Sequence, residues 1–308
     1  MAATPAALHR NLPGRALLYM TAGVAAFAGL DAGAKWLTEN YSVAQIIFLG
    51  RVFTLAIILA ICLPRTPGRL WGARRPGLQL LRAVTAVLTM ATFFWALALM
   101  PLADVIAIVF AAPLFMTVLG AVVLGEKVGP RRWGAVIVGF VGVLIMVRPG
   151  DTSFGWAVML PLASALFYAV SNIVSRQLTA TETTENLMLW ITGTAIVCTA
   201  PLMPLQWTTP TPFDWGVFAF TGLASGAGQF LMLRAFRYGE ISMLAPIEYT
   251  ALIWAAALGF LIWSEVPSLS IWIGAPIVVG ASLYIAHRET RAGRERLAQA
   301  AVPGEGAP

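Results

Sequence analysis

Asp31 and Lys35 stand one helical turn apart in the stretch GLDAGAKWL, inside an otherwise apolar run. Side chains four residues apart on a helix share a face. Arg51, in GRVF, lies in the next apolar run. Glu248 lies in a later one, preceded by Pro246 and followed by Tyr249 and Thr250. A charge in apolar surroundings is costly unless it is paired, wetted or holding something. Asp31 therefore either clamps Arg51 or binds an ammonium or a proton. Glu248 either pairs with Arg234 as a gate or serves a substrate amine or a proton. Pro246 frees a backbone carbonyl and reads as a hinge. Rings and amides accompany these charges: Phe94 and Trp95 in TFFWALALM, Tyr168 and Asn172 in ALFYAVSN, and Gln229 in GAGQFLM. A zwitterion with a ring needs such a set. Asp31 and Glu248 suit its amine, Asn172, Gln229 and Tyr249 its carboxylate, and Phe94, Trp95 and Tyr168 its side chain, ring stacking contributing about 0.5–1.5 kcal/mol beyond burial.

Bond-making chemistry lacks its parts. The only histidines, His9 and His287, lie outside or at the edge of the apolar runs, and Cys62 and Cys198 have no zinc-like or redox spacing. H-E-x-x-H, G-x-S-x-G and Walker sequences are absent. The expectation is a protein that is not an enzyme and uses no metal or cofactor. An intramembrane enzyme and a channel are the rival classes; a channel needs a ring of selectivity residues, and none is legible.

The elements that hold these residues follow from composition. The 308 residues are 59% hydrophobic and 11% charged, with a mean hydropathy of +0.79. Soluble domains carry about 25% charged residues, so this chain could not cover its own surface in water. A bilayer core of about 30 Å takes roughly 20 apolar residues per helix. Ten spans are legible, near 16–37, 42–63, 78–99, 102–124, 132–148, 154–176, 184–205, 213–236, 242–264 and 270–287. The first is long and lacks a clean cleavage site, so it reads as a span and not as a signal peptide. The net charge of +6 does not mark a nucleic-acid binder, because the basic residues sit between spans without interleaved aromatics. Of the 20 Lys and Arg, 17 fall at the termini or in the even-numbered loops, Lys35 and Arg148 fall on the opposite side, and Arg51 lies within span 2. That bias places both termini in the cytoplasm. Arg outnumbers Lys 18 to 2, as in GC-rich bacterial genomes, so a bacterial inner membrane is expected.

The chain repeats itself. Gly120, Glu126 and Trp133 match Gly259, Glu265 and Trp272, each 139 positions on; Asp31, Lys35 and Leu37 match Asn172, Arg176 and Leu178, each 141 positions on. Residues 1–150 and 151–290 thus form two five-span halves, with 291–308 a disordered cytoplasmic tail. Five is odd, so the second half enters the membrane inverted, and inverted repeats place a substrate site where the halves meet. Glu126 and Glu265 then sit at opposite faces, bonding the first donors of the next helix or acting in gating. Small residues in spans 5 and 10, among them Gly139, Gly142, Gly274 and Ala281, allow close helix approach and mark outer supports.

The LGE close of span 4, the WSEVP close of span 9, the stretch APIEYTALIWAAALGFLIWSEVP and Arg51 in span 2 together resemble the drug/metabolite transporter superfamily, EamA type. Ser264 replaces the Gly usual before Glu in that family and suits the turn nearly as well. The resemblance implies an all-α membrane protein of ten helices around a central cavity lined by spans 1, 3, 4, 6, 8 and 9. It implies transport of small metabolites by alternating access, with some members exporting amino acids, aromatic ones included. The expectation is an exporter of amphipathic metabolites, amino acids with an aromatic preference, working as a monomer in the bilayer. A nucleoside or cationic-drug carrier is the alternative.

Overall fold

The computed structural model describes residues 13–62, 73–126, 128–148, 155–178, 181–238 and 241–301. Lys127, Trp71 and the 150/151 boundary lie outside them. Ten helical spans run through the described residues: α1 (Pro13–Thr38), α2 (Val43–Cys62), α3 (Pro76–Leu99), α4 (102–123), α5 (Pro130–Val147), α6 (Met159–Leu178, entered by a 3-10 turn at Gly155–Val158), α7 (Thr184–Thr199, continued by a 3-10 turn and a short helix to Gln206), α8 (Pro212–Tyr238), α9 (241–263) and α10 (Leu269–Ala301). Each is long and apolar enough to cross a bilayer. Proline opens α1, α3, α5 and α8, at the position where its missing N–H costs nothing. The helix of α10 runs on to Ala301, which corrects the expected disorder of 291–301; residues 302–308 lie outside the described residues.

Two spans are broken, which the sequence reading did not foresee. α4 consists of α4a (Leu102–Val109) and α4b (Ala112–Val123), α9 of α9a (Ile241–Glu248) and α9b (Ala251–Trp263). The breaks fall at Phe110–Ala111 and Tyr249–Thr250, again 139 positions apart. At both, tight bonds replace the regular ladder: Ala111 N to Ile108 O at 3.0 Å, and Thr250 N to Ile247 O at 3.0 Å, reinforced by the Thr250 hydroxyl on the same carbonyl at 2.6 Å. Pro246 lies inside α9a, so the bend follows the proline by three residues and does not pivot on it.

Packing follows the same duplication. α1 lies on α8 and α3 on α6, while α2 pairs with α7, α5 with α10, and α4a with α9b. Exchanging span n for span n+5 turns the first pairing into the second and returns the next two unchanged. Glycine makes the closest crossings. A Cβ on Gly142 would come 3.0 Å from the Gly274 carbonyl, and one on Gly139 3.2 Å from Ala281, so the small residues of α5 and α10 do bring those helices together. The largest buried cluster gathers Ala32, Leu97, Leu102, Ile108, Leu114 and Val278 around α4a.

Candidate functional site

The two acidic span ends share one local build. α4b ends at Gly125 with φ +65° and α9b at Ser264 with φ +56°. The next amide, Glu126 N or Glu265 N, bonds back to Gly120 O or Gly259 O, each at 3.1 Å. This is the bond pattern of a helix stop in which one residue turns left-handed. Gly120 and Gly259 leave room for the glutamate to fold over the helix: a Cβ there would meet Glu126 Oε2 at 3.2 Å or Glu265 Oε2 at 3.3 Å. The repeated Gly and Glu six residues apart are thus one device used twice.

Glu265 does not bond the next helix. Its Oε2 accepts the amide of Leu102, the first residue of α4a, at 2.9 Å. Its Oε1 meets Lys35 Nζ at 2.7 Å. Lys35 is buried, donating to Met100 O at 2.7 Å and Leu97 O at 3.3 Å and lying 5.4 Å from the Trp263 ring centroid. Carbonyls left open at the end of α3 plus one carboxylate satisfy the ammonium better than a partial reach to solvent. Trp263 also donates to Glu39. Asp104, 2% exposed, lies within electrostatic reach of Lys35 and Glu265, and its Oδ1 has no hydrogen-bond partner among the described residues. At the opposite end of the bundle Glu126 meets Arg176 at 3.6 Å, with both side chains largely exposed.

Two expected pairs do not form. Asp31 and Arg51 make no ion pair among the described residues. Arg51 instead turns to Met90 Sδ at 2.6 Å, in a cavity of about 40 Å³ lined also by Leu30, Thr54, Phe94, Thr221 and Ser225. Glu248 and Arg234 also stay apart among the described residues, and Arg234 lies over Phe230 at 5.0 Å. Asp31 and Glu248 are half-buried without a hydrogen-bonding or ionic partner among the described residues.

The rings sort into inside and outside. α3 turns Val87, Met90 and Phe94 to α2 and α7, and Arg82 and Thr89 to α6. Trp95 falls on the remaining stripe with Leu81, Val84, Leu88 and Leu99, all exposed. It faces away from the bundle, which corrects its expected place in a cavity; counting aromatics without fixing the packed face cannot separate the two. Tyr168 is exposed yet within electrostatic reach of Glu248 on α9a, and Asn172 donates to its carbonyl at 2.9 Å. Gln229 is exposed one turn beyond Ser225 on α8. Tyr249 stacks edge-on against Phe110 with centroids 5.0 Å apart, so the two helix breaks touch. Phe110 is not among the residues singled out from sequence. Its signal was there: it is the partner of Tyr249 in the 139-residue register.

Broken helices meeting at mid-bundle, with lone carboxylates and rings beside the break, define a membrane transporter architecture. The chain belongs to the EamA-like transporter family, whose model matches residues 14–148 and again 155–286. Among characterised proteins it is similar to a riboflavin transporter of Rhizobium johnstonii, 29% identical over 92% of this chain and 95% of that one. It is similar too to an S-adenosylmethionine uptake transporter of Rickettsia bellii (26%, covering 85% and 90%) and to a pseudopaline exporter of Pseudomonas aeruginosa (28%, covering 83% and 90%). None of these three names an amino acid as cargo.

Proposed function

We propose that this transporter carries small amphipathic metabolites that combine a flat aromatic ring with a polar or cationic chain, by alternating access between two inverted halves. The observation that carries the reading is the contact between the breaks: Phe110 and Tyr249 stack beside Glu248, which lies within electrostatic reach of Tyr168. Rings there hold a ring, and the lone carboxylates Asp31 and Glu248 suit a cationic group. Arg51, Asn172 and Gln229 suit polar oxygens; Glu126 and Glu265 shape the span ends. Riboflavin and S-adenosylmethionine, the cargoes named for two relatives, each join a heteroaromatic ring to a polar chain. Aromatic amino acids are the smallest members of the same class. The duplicated pairings of the spans support the inverted halves, and the clustering of Lys and Arg supports cytoplasmic termini in an inner membrane.

The test is a thermal-shift comparison on the purified protein with riboflavin, S-adenosylmethionine, phenylalanine and alanine. A ligand at 100 times its Kd stabilises by about 2.7 kcal/mol, a readily measured shift. One or more ring-bearing compounds are expected to raise the melting temperature, alanine to leave it unchanged, and Tyr249→Ala to remove the effect. Equal shifts from alanine, or none from any ring, refute the substrate class.

A further inference from the structure

Two ion pairs join the halves at opposite ends of the bundle. Lys35 on α1 meets Glu265 after α9b; Arg176 on α6 meets Glu126 after α4b. Lys35 corresponds to Arg176 and Glu126 to Glu265 in the two repeat registers, so each pair is the image of the other. Each ties the first span of one half to the fourth span of the other half. Their states differ. The Lys35 pair is 2.7 Å long, with side chains 8% and 21% exposed; the Arg176 pair is 3.6 Å long, with side chains 56% and 42% exposed.

The backbone around them differs in the same sense. At the Lys35 end, α4a packs on α9b, and Glu265 holds the Leu102 amide. The image of that contact, α4b on α9a, is not packed among the described residues. Leu97, Met100 and Leu102 seal the Lys35 end at 3% exposure or less, while Tyr168 and Gln229 on the way to the Arg176 end are exposed.

We propose that these pairs are reciprocal latches, and that this structure is the state with the Lys35 latch shut and the Arg176 latch slack. In the opposite state Arg176–Glu126 takes the tight geometry while Lys35–Glu265 opens. Equivalent halves trading conformations would exchange one tight pair for its image, so the two states stay close in energy; a two-state element so balanced is shifted by modest changes. The latches are not electrically equal. Asp104 adds a carboxylate beside Lys35, where the image position holds Met243. The proposal rests on the carrier reading, but its test needs no substrate, so an error in the substrate class leaves it standing.

The experiment is side-specific cysteine labelling of the full chain in right-side-out and inside-out membrane vesicles. Cys62 and Cys198 are replaced by Ser, and Ala34→Cys, 1% exposed on α1 beside Lys35, serves as reporter. A membrane-impermeant maleimide should label it slowly from the Lys35 side. Glu265→Gln should raise that rate about tenfold, a modest population shift, with little gain from the other side. Lys35→Gln, which keeps a donor for the Leu97 and Met100 carbonyls, should do the same and decides the matter if Glu265→Gln does not fold. Glu126→Gln should leave the rate within about twofold, because its latch is already slack. A parental rate in folded Glu265→Gln or Lys35→Gln protein, or an equal rise from both sides, overturns the proposal.

Discussion

Lys35 and Asp31 share a helix face but not a role. Lys35 has four partners, two carbonyls, Glu265 and the Trp263 ring, whereas Asp31 has none among the described residues. Removing one member of a buried ion pair typically costs about 3–5 kcal/mol, because the other charge is left unpaired. Lys35→Met should therefore lower stability by that order in denaturant or thermal unfolding. Glu126→Gln, in an exposed pair, should cost under about 1 kcal/mol. Asp31→Asn should keep or gain stability, since it removes a charge that nothing balances, and should abolish the shift given by cationic ligands. A stability loss in Asp31→Asn without loss of ligand response would assign Asp31 to structure. That these residues matter was legible from their placement in apolar spans. Which carboxylate meets which cation was not. Asp31 and Arg51 are close in sequence and on neighbouring spans, but Arg51 turns toward α3, and only the packing of α1 against α9b brings Glu265 to Lys35.

At the level of elements, the spans were readable because roughly 20 apolar residues between turn signals leave little choice. The ten membrane-crossing spans fall within a few residues of the expected limits, and only the helix of the last one runs well beyond, to Ala301. The breaks in α4 and α9 were not, because each span stays apolar enough over roughly 20 residues to read as one helix, although Pro113 in IVFAAPL opens α4b and Glu248 and Thr250 interrupt IEYTALI. The helix stops carry a testable cost. Gly125 adopts φ +65° freely, but Ser264 pays for φ +56° in its place, roughly 1–2 kcal/mol for a residue with a Cβ. Serine is thus a poorer fit than the sequence alone implies. Ser264→Gly should raise unfolding stability by about 1 kcal/mol, and no gain would show that the turn is held by something other than its backbone.

For the whole molecule, the two halves account for the paired spans, the matching breaks and the matching stops. The repeat was visible in six residue matches, and the family match to 14–148 and 155–286 falls on the same division. The topology it implies has a direct check: a reporter fused after Pro308 should score cytoplasmic and one inserted at 207–211 external. A reversed result would overturn the side assignment. Cargo was less legible, since rings serve packing, lipid contact and binding alike, and Trp95 belongs outside while Phe110 and Tyr249 belong at the centre. A carrier with its site at the two helix breaks must exchange its cargo across the membrane. Counterflow in proteoliposomes tests it most directly. Vesicles loaded with unlabelled riboflavin, S-adenosylmethionine or phenylalanine are diluted into the same compound in labelled form. At least one should accumulate transiently above its equilibrium level, and Tyr249→Ala should lose the overshoot while remaining folded. No overshoot with any of the three, or an undiminished one in Tyr249→Ala, would contradict the account.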